Sequence, residues 1–400
     1  MEEKNLSRRN FITMSGLAGS SLLLGSSVLK AETLLGSPFA KSVLVSSYKV
    51  AVIGCGNRSK ALINALNSVP ELEMAVLCDI VPHKMEQRAQ LIKTGVKPQF
   101  ISDMRKVFEM SDISAVVIVT PNDTHREIAI AAMEAGKHVF CEKPLALTVV
   151  ECNEIIGASE RTRRYLQIGH QRRHSGEYQT LIESVRNKPV GKVLQSSLYD
   201  FRGDWRVPDA DEYPKGTPYW RLSQKQSGGV VYEMGAHIID VNNWVFDSEP
   251  TQVVSLQGVN NFSLRKRDSS DHSGVLAYYA NGSLMNYGGN VYNYGSTALD
   301  TFFAVNATLQ MGGGFLEIKY GSAPGFPKPK DIPQAEKISL KANNREGDGV
   351  VEQFKHFLKV LDGKAQPWPD GYTARKVVQI MEGSVRSALE KRVIDIKELG

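Results

Sequence analysis

Lys49-Val50-Ala51-Val52-Ile53-Gly54-Cys55-Gly56-Asn57-Arg58-Ser59 is the stretch that decides the fold of this chain. Its first five residues are a short apolar, β-branched run and read as a strand; an apolar-periodic helix follows the glycines. Glycine is needed where the chain leaves the strand, because the backbone turns sharply and must approach a pyrophosphate closely. The helix beginning there offers free N–H groups and a positive dipole end to that anion. The third glycine of the usual pattern is replaced by Ser59, which is small enough to keep helix and strand close. Alone, such a loop is a weak signal, since turns of this composition also arise without a ligand.

Reading outward strengthens it. Met74-Ala75-Val76-Leu77-Cys78 is a second strand and ends in Asp79, placed where a carboxylate grips a ribose hydroxyl pair. A carboxylate there repels a 2′-phosphate, so NAD is expected; Arg58 nearby keeps NADP open, and a plain strand-end cap is the alternative role for Asp79. Ala115–Val119 is a third strand, closing on Thr120-Pro121-Asn122, and a helix from His125 to Ala135 is stopped by Gly136. Lys137–Cys141 is the next strand, with Glu142-Lys143-Pro144 at its end. Ligands of open parallel sheets bind outside the carboxyl ends of the strands, and each of these motifs falls at such an end.

After Gly169 the texture changes. Residues 193–201, 253–259, 274–279, 283–288 and 302–310 read as strands, with a hairpin signal at Asn281-Gly282. Residues 350–361 and 373–389 read as helices. The expected fold is an α/β Rossmann domain with a mostly parallel sheet over 48–168. An α+β domain over 169–400 follows, with a large, open, mostly antiparallel sheet and C-terminal helices. Within it, Gly228-Gly229 open a helix that carries Glu233 and His237 four residues apart, hence on one face, with Asp240 continuing that side. An imidazole held by a carboxylate is a sensible general acid–base; a helix-face ion pair or a core histidine is the bland alternative. His170 and His174 also stand four apart, but no third ligand accompanies them and no metal is expected.

Three segments together resemble the Gfo/Idh/MocA oxidoreductases, the family of glucose–fructose oxidoreductase and inositol dehydrogenase. They are Thr120-Pro121-Asn122-Asp123-Thr124-His125, Ala135-Gly136-Lys137-His138-Val139 and Glu142-Lys143-Pro144-Leu145. The resemblance runs from Lys49 to the C-terminal helices, including the turn at Asp370-Gly371. It implies that Gly54, Gly56, Asn57, Arg58, Asp79, Thr120, Pro121, Asn122, His125, Glu142 and Lys143 surround a dinucleotide. It also implies that Lys143 and His237 meet over the nicotinamide. Where the family usually has aspartate four residues before the histidine, this chain has Glu233, one methylene longer.

The implied activity is hydride transfer between a sugar or polyol CH–OH and the cofactor. His237 would take the hydroxyl proton, Lys143 would stabilise the alkoxide, and Glu233 would orient His237 or touch the substrate. Arg173, Tyr219, Trp220, Arg221 and Asp240 are candidates for the sugar pocket. Two other functions remain. One is glycoside cleavage through transient oxidation, as in the NAD-dependent glycosidases of the superfamily, which lack the lysine found here. The other is a non-catalytic sugar-binding protein of the same fold.

The bulk of the sequence agrees with a two-domain globular protein: 400 residues, 42% hydrophobic, with a net charge of only +5. Its basic residues are dispersed, which argues against a nucleic-acid partner. The four cysteines read as buried free thiols, although a Cys55–Cys78 bridge is conceivable. Ser7-Arg8-Arg9-Asn10-Phe11-Ile12 and the mildly apolar stretch to Leu29 have the layout of a twin-arginine export signal over 1–31, followed by a linker over 32–47. A retained membrane anchor is the alternative, weakened by glycines and serines. Periplasmic location follows, and with it a tightly bound cofactor reset within each cycle, since free NAD is not supplied there. A homo-oligomer, dimer or tetramer, is the expected assembly.

Overall fold

The computed structural model describes residues 47–203, 219–260, 266–295, 297–321, 333–340 and 349–400. The export-signal reading of 1–31 lies outside these residues, as does the linker apart from Ser47.

The first lobe alternates strand and helix as its apolar runs require. Its elements are β1 (Tyr48–Ile53), α1 (Asn57–Leu66), β2 (Leu72–Cys78), α2 (Pro82–Ala89), β3 (Gln99–Ile101), α3 (Met104–Glu109) and β4 (Ala115–Ile118). They continue with α4 (His125–Glu134), β5 (His138–Cys141), α5 (Val149–Thr162) and β6 (Leu166–Ile168). The strands form one parallel sheet in the order β3-β2-β1-β4-β5-β6, so the chain reverses direction of travel beside β1, opposite the glycine loop. Helix α5 is fixed at its start by a capping box, with the Thr148 hydroxyl accepting from Glu151 N at 3.2 Å and Glu151 Oε2 accepting from Thr148 N at 3.2 Å.

The second lobe comprises α6 (Gly176–Asn187), β7 (Val193–Phe201), the short α7 (Gln224–Ser227) and α8 (Ala236–Phe246). Then come β8 (Pro250–Gly258), β9 (His272–Tyr279), β10 (Leu284–Asn290), β11 (Thr297–Ala304), β12 (Ala307–Gly312), β13 (Phe315–Tyr320) and β14 (Ala335–Ser339). The chain ends with α9 (Val350–Leu361), α10 (Gly371–Glu390) and β15 (Ile394–Asp395). Nine strands make a sheet in the order β14-β13-β12-β11-β7-β10-β9-β8-β15, antiparallel apart from the β7–β10 pair. The run 302–310, read as one strand from sequence, is two: the chain turns at Val305-Asn306, whose amides bond to Lys192 O and Val190 O instead of to a continuing ladder.

The lobes are not separate cores. One buried cluster extends from Ala51, Val76 and Val139 of the first sheet through Tyr232 and Ile238 to Val275, Phe302 and Leu309 of the second. Helix α9 follows the second sheet in the chain yet packs on the first, where Phe354 meets Phe140 with ring centroids 4.7 Å apart. All four cysteines are buried free thiols. Among the described residues no helix is long and apolar enough to cross a membrane.

Candidate active site

The glycine loop shows two different demands for glycine. Gly54 has φ +98°, and a Cβ there would sit 2.6 Å from the Val119 carbonyl oxygen, so the fold itself excludes a side chain. Gly56 has ordinary dihedrals, and its Cβ position is open space with no atom within 4 Å. No internal packing asks for glycine there; a ligand approaching the backbone would. No side chain caps α1 at Gly56, leaving the first-turn amides for an anion. Ser59 is fully buried, and its hydroxyl donates to the Gly56 carbonyl at 2.6 Å. A dinucleotide pyrophosphate therefore fits this cradle.

Asp79 stands at the end of β2 and accepts from Cys55 N at 2.6 Å and from Val81 N at 2.8 Å, so it braces the loop besides presenting a carboxylate beside it. Arg58 turns the other way: its Nε donates to Glu142 Oε1 at 2.8 Å and its Nη2 to Gln171. Arg88 of α2, which sequence reading passed over, is buried and donates to Ser59 Oγ at 3.0 Å and to the Gly56 carbonyl at 3.2 Å. An arginine on a helix of otherwise polar composition gives no sign of this in the sequence.

Thr120, Pro121 and Asn122 form the turn after β4. The Thr124 hydroxyl lies 2.7 Å from both Thr120 Oγ1 and the Pro121 carbonyl. His125 sits beneath them, Nδ1 2.7 Å from the Pro144 carbonyl and Nε2 3.1 Å from the Thr120 carbonyl; burial lowers its pKa against the pull of the two carbonyls. It thus ties together the two turns that carry Asn122 and Lys143. The buried Asn122 amide reaches into the second lobe, donating to Ser227 O and to Glu233 Oε1, each at 2.9 Å.

Lys143 crosses the same boundary. Its Nζ donates to the Glu233 carbonyl at 2.8 Å, on the segment that leads into His237. That segment opens with Gly228 and Gly229, both at positive φ, and runs as a π-helical turn over Val231–Gly235 before α8. A π turn closes bonds to the fifth residue instead of the fourth, so it carries His237 out of line with Glu233. The expected carboxylate–imidazole bond is accordingly absent. Glu233 is held by Asn122 and by Arg221 Nε at 2.7 Å, while His237 Nδ1 is buried without a partner. Burial works to raise the Glu233 pKa, but the charges of Arg221 and Lys143 outweigh it and keep the group low, hence ionised. Burial also lowers the Lys143 pKa. At His237 burial comes first, reinforced by Lys143 and Arg172, and the pKa falls well below the usual imidazole value.

The remaining pocket residues divide. Arg221 lies over the Trp220 ring at 4.9 Å and donates to Tyr219 Oη at 3.0 Å, so Tyr219, Trp220 and Arg221 form one assembly around Glu233. Arg173 and Asp240 are committed to each other: Nε lies 2.9 and 3.0 Å from the two carboxylate oxygens, both groups are buried, and Trp244 and Trp368 flank the guanidinium. His170 stands 3.8 Å from Asp240 with neither ring nitrogen bonded, whereas His174 Nε2 meets the Trp368 carbonyl at 2.9 Å. Among the described residues no group of three metal-ligating side chains forms.

A parallel sheet in the order 3-2-1-4-5-6, a glycine loop with room for an anion and a lysine docked across two lobes on the segment leading into a histidine define the dinucleotide-binding class of protein. Comparison narrows the class. Residues 48–170 match the oxidoreductase family with the NAD-binding Rossmann fold, and residues 178–309 match the GFO/IDH/MocA C-terminal domain. The chain belongs to the Gfo/Idh/MocA oxidoreductase family. It is 29% identical over 204 residues to inositol 2-dehydrogenase of Salmonella paratyphi B, covering 50% of this chain and 55% of that protein. It is 28% identical over 231 residues to a glycosyl hydrolase family 109 protein of Shewanella pealeana, covering 54% and 50%. The chain thus spans about half the length of the curated relatives it matches. Aldose–aldose oxidoreductase from Caulobacter crescentus, solved with glycerol, shares the fold with a TM-score of 0.70 and 20% identity, covering 87% of this chain and 99% of that one.

Proposed function

We propose that this protein transfers a hydride between the CH–OH group of a sugar or polyol and a tightly held NAD. The observation that carries this reading is the docking of Lys143 on the Glu233 carbonyl, on the segment leading into a half-buried His237 whose Nδ1 is sealed from solvent without a partner. The cofactor, when bound, supplies the hydride-accepting ring. Gly54, Gly56, Asn57 and Asp79 would hold it at the glycine loop, and the Thr120–Asn122 turn with Glu142 and Lys143 would line the remainder of its site. His237, kept neutral by burial and by neighbouring positive charge, is ready to accept the hydroxyl proton. Lys143 commits one N–H to Glu233, which leaves donors for the developing alkoxide. Glu233 answers the charge of Lys143 and Arg221 and so holds the ammonium in place.

Mass analysis of cofactor co-purifying with the protein tests binding, identity and tightness together. Replacing Lys143 by Met and His237 by Ala should each lower turnover by about 10²-fold or more with NAD still bound. Unchanged biological activity in both would favour a binding protein instead. The likeness to family 109 proteins supports a second reading, in which transient oxidation leads to glycoside elimination. Lys143 favours the first. Anaerobic mixing with sugars and glycosides separates them: reduction of bound cofactor with keto-sugar release marks the first, aglycone release without net redox the second.

Two further features belong to this proposal. Arg8-Arg9 and the stretch after them support export to the periplasm in folded form, checked by fractionating an Arg8→Lys, Arg9→Lys variant. Exposed Leu256, Leu276, Tyr278 and Phe303 on the nine-stranded sheet support a homo-oligomer, checked by sedimentation.

A further inference from the structure

Two adjacent arginines on the turn Gln171–His174 have opposite fates. Arg173 is paired with Asp240. Arg172 makes no ion pair or hydrogen bond with any described residue through its side chain. Its Nη1 is sealed from solvent without a partner, and its guanidinium lies over the Tyr178 ring at 5.0 Å. Leaving that one dry guanidinium nitrogen unmatched is costly, so it points to a ligand that completes it.

The inner face of the large sheet shows the same deficit next to it. Leu198 on β7 pairs with Tyr287 on β10 and with Asp300 on β11, which places the three side by side. Asp300 is buried and hydrogen-bonded by Tyr178, yet its Oδ1 has no partner. Tyr287 is fully buried, and its hydroxyl has none either. Glycines leave the room that ring occupies: a Cβ on Gly289 would come within 2.9 Å of its Cζ, and one on Gly235 within 3.1 Å of its Cε1. Gly235 closes the π turn just before His237. The charge of Arg172 acts on both His237 and Tyr287, and Asp300 and Asp200 act on Arg172. Asp200 is already answered by Arg202, whose Nε lies 3.0 Å away. A donor, an acceptor and a hydroxyl without partners thus lie in one neighbourhood, linked through Tyr178 and the sheet register, close to the candidate base.

We infer that Arg172, Asp300 and Tyr287 form a specificity subsite that grips a neutral vicinal diol of the substrate next to the carbon served by His237. The inference rests on the sugar or polyol oxidoreductase reading and deepens it. Arg172 donates to one hydroxyl oxygen, Asp300 Oδ1 accepts from a hydroxyl, and Tyr287 completes whichever role is left. An acidic sugar would set its carboxylate against Asp300 and Asp200, and a deoxy sugar would leave buried polar groups unmatched. Discrimination by unmatched groups of this kind is large, reaching about 10⁴-fold in favourable sites.

The test uses the full chain with its cofactor and a panel of neutral sugars and polyols, their monodeoxy analogues and the corresponding uronates. If no neutral member reduces the cofactor in the unaltered protein, the oxidoreductase reading fails and the subsite with it. Once turnover is seen, Arg172→Gln and Asp300→Asn should each raise KM by about tenfold or more. Both should leave NAD affinity unchanged and shrink the preference for the parent over its deoxy analogue. Tyr287→Phe, nearly isosteric, should shrink that preference while keeping the melting temperature. Unaltered KM and unaltered deoxy discrimination in Arg172→Gln and Tyr287→Phe overturn the inference. So does an Asp300→Asn variant that only loses stability while the other two behave as the parent.

Discussion

At the scale of single residues, the molecule separates charges that stabilise from charges that wait. Arg173 and Asp240 satisfy each other in a buried box of indole rings. Removing one member leaves the other uncompensated, so Asp240→Ala should cost about 3–5 kcal/mol in chemical denaturation. The Arg173→Met, Asp240→Leu double variant should recover most of that, because apolar residues of similar volume replace buried ion pairs well. Equal destabilisation by the single and double variants would show that the pair does more than neutralise itself. Neighbours in sequence give no hint of this split: the two arginines differ only in which way the short turn aims them.

At the scale of elements, the glycine loop offers a clean separation of folding from binding. Gly54→Ala forces a side chain onto the Val119 carbonyl at positive φ and should cost about 1–3 kcal/mol. Gly56→Ala adds a methyl to open space, so stability should change by less than about 1 kcal/mol. Yet NAD affinity should fall by at least about tenfold, because the backbone can no longer approach the pyrophosphate. Calorimetric titration and thermal melts on both variants check this.

In the first lobe β1, β2, β4, β5, α1 and α4 were legible because apolar runs, stop signals and strand-end motifs agreed there, whereas β3, β6, α2, α3 and α5 were not read. The helix of Glu233 and His237 was legible as a helix, but its side-chain partnership was not. Spacing of four assumes ordinary α geometry, and the π turn over Val231–Gly235 breaks that assumption. The single strand read over 302–310 failed for a related reason. Val305 and Asn306 carry no glycine or proline to mark the turn, which long-range bonds to Val190 and Lys192 impose. Arg88 and Arg172 were invisible for want of any local pattern, since what distinguishes them lies entirely in residues brought near by the fold.

At the scale of the whole molecule, histidines set the acid side of stability. Burial lowers the pKa of His125, His170 and His237, and brings His138 and His174 down to about 4. Each group binds its proton more readily unfolded, near pH 6.5, than folded. Stability should therefore be full above pH 6.5 and drain as pH falls from there towards 4. A melting temperature lower by about 5 °C or more at pH 5 than at pH 7 is the expected outcome. A flat profile over that window would mean the histidines are already hydrated. Turnover in the oxidative direction should hold level through neutrality for the same reason, since His237 stays unprotonated there.

The cluster shared by both sheets has one more consequence. A cut near Gly169 would not release an autonomous nucleotide-binding fragment, because α9 and its Phe354 come back from the far end of the chain to finish the first lobe's interior. Grafting experiments that exchange the front half of this polypeptide for that of a cousin must therefore bring the returning helix along, or the chimaera will be born with an open wound in its centre.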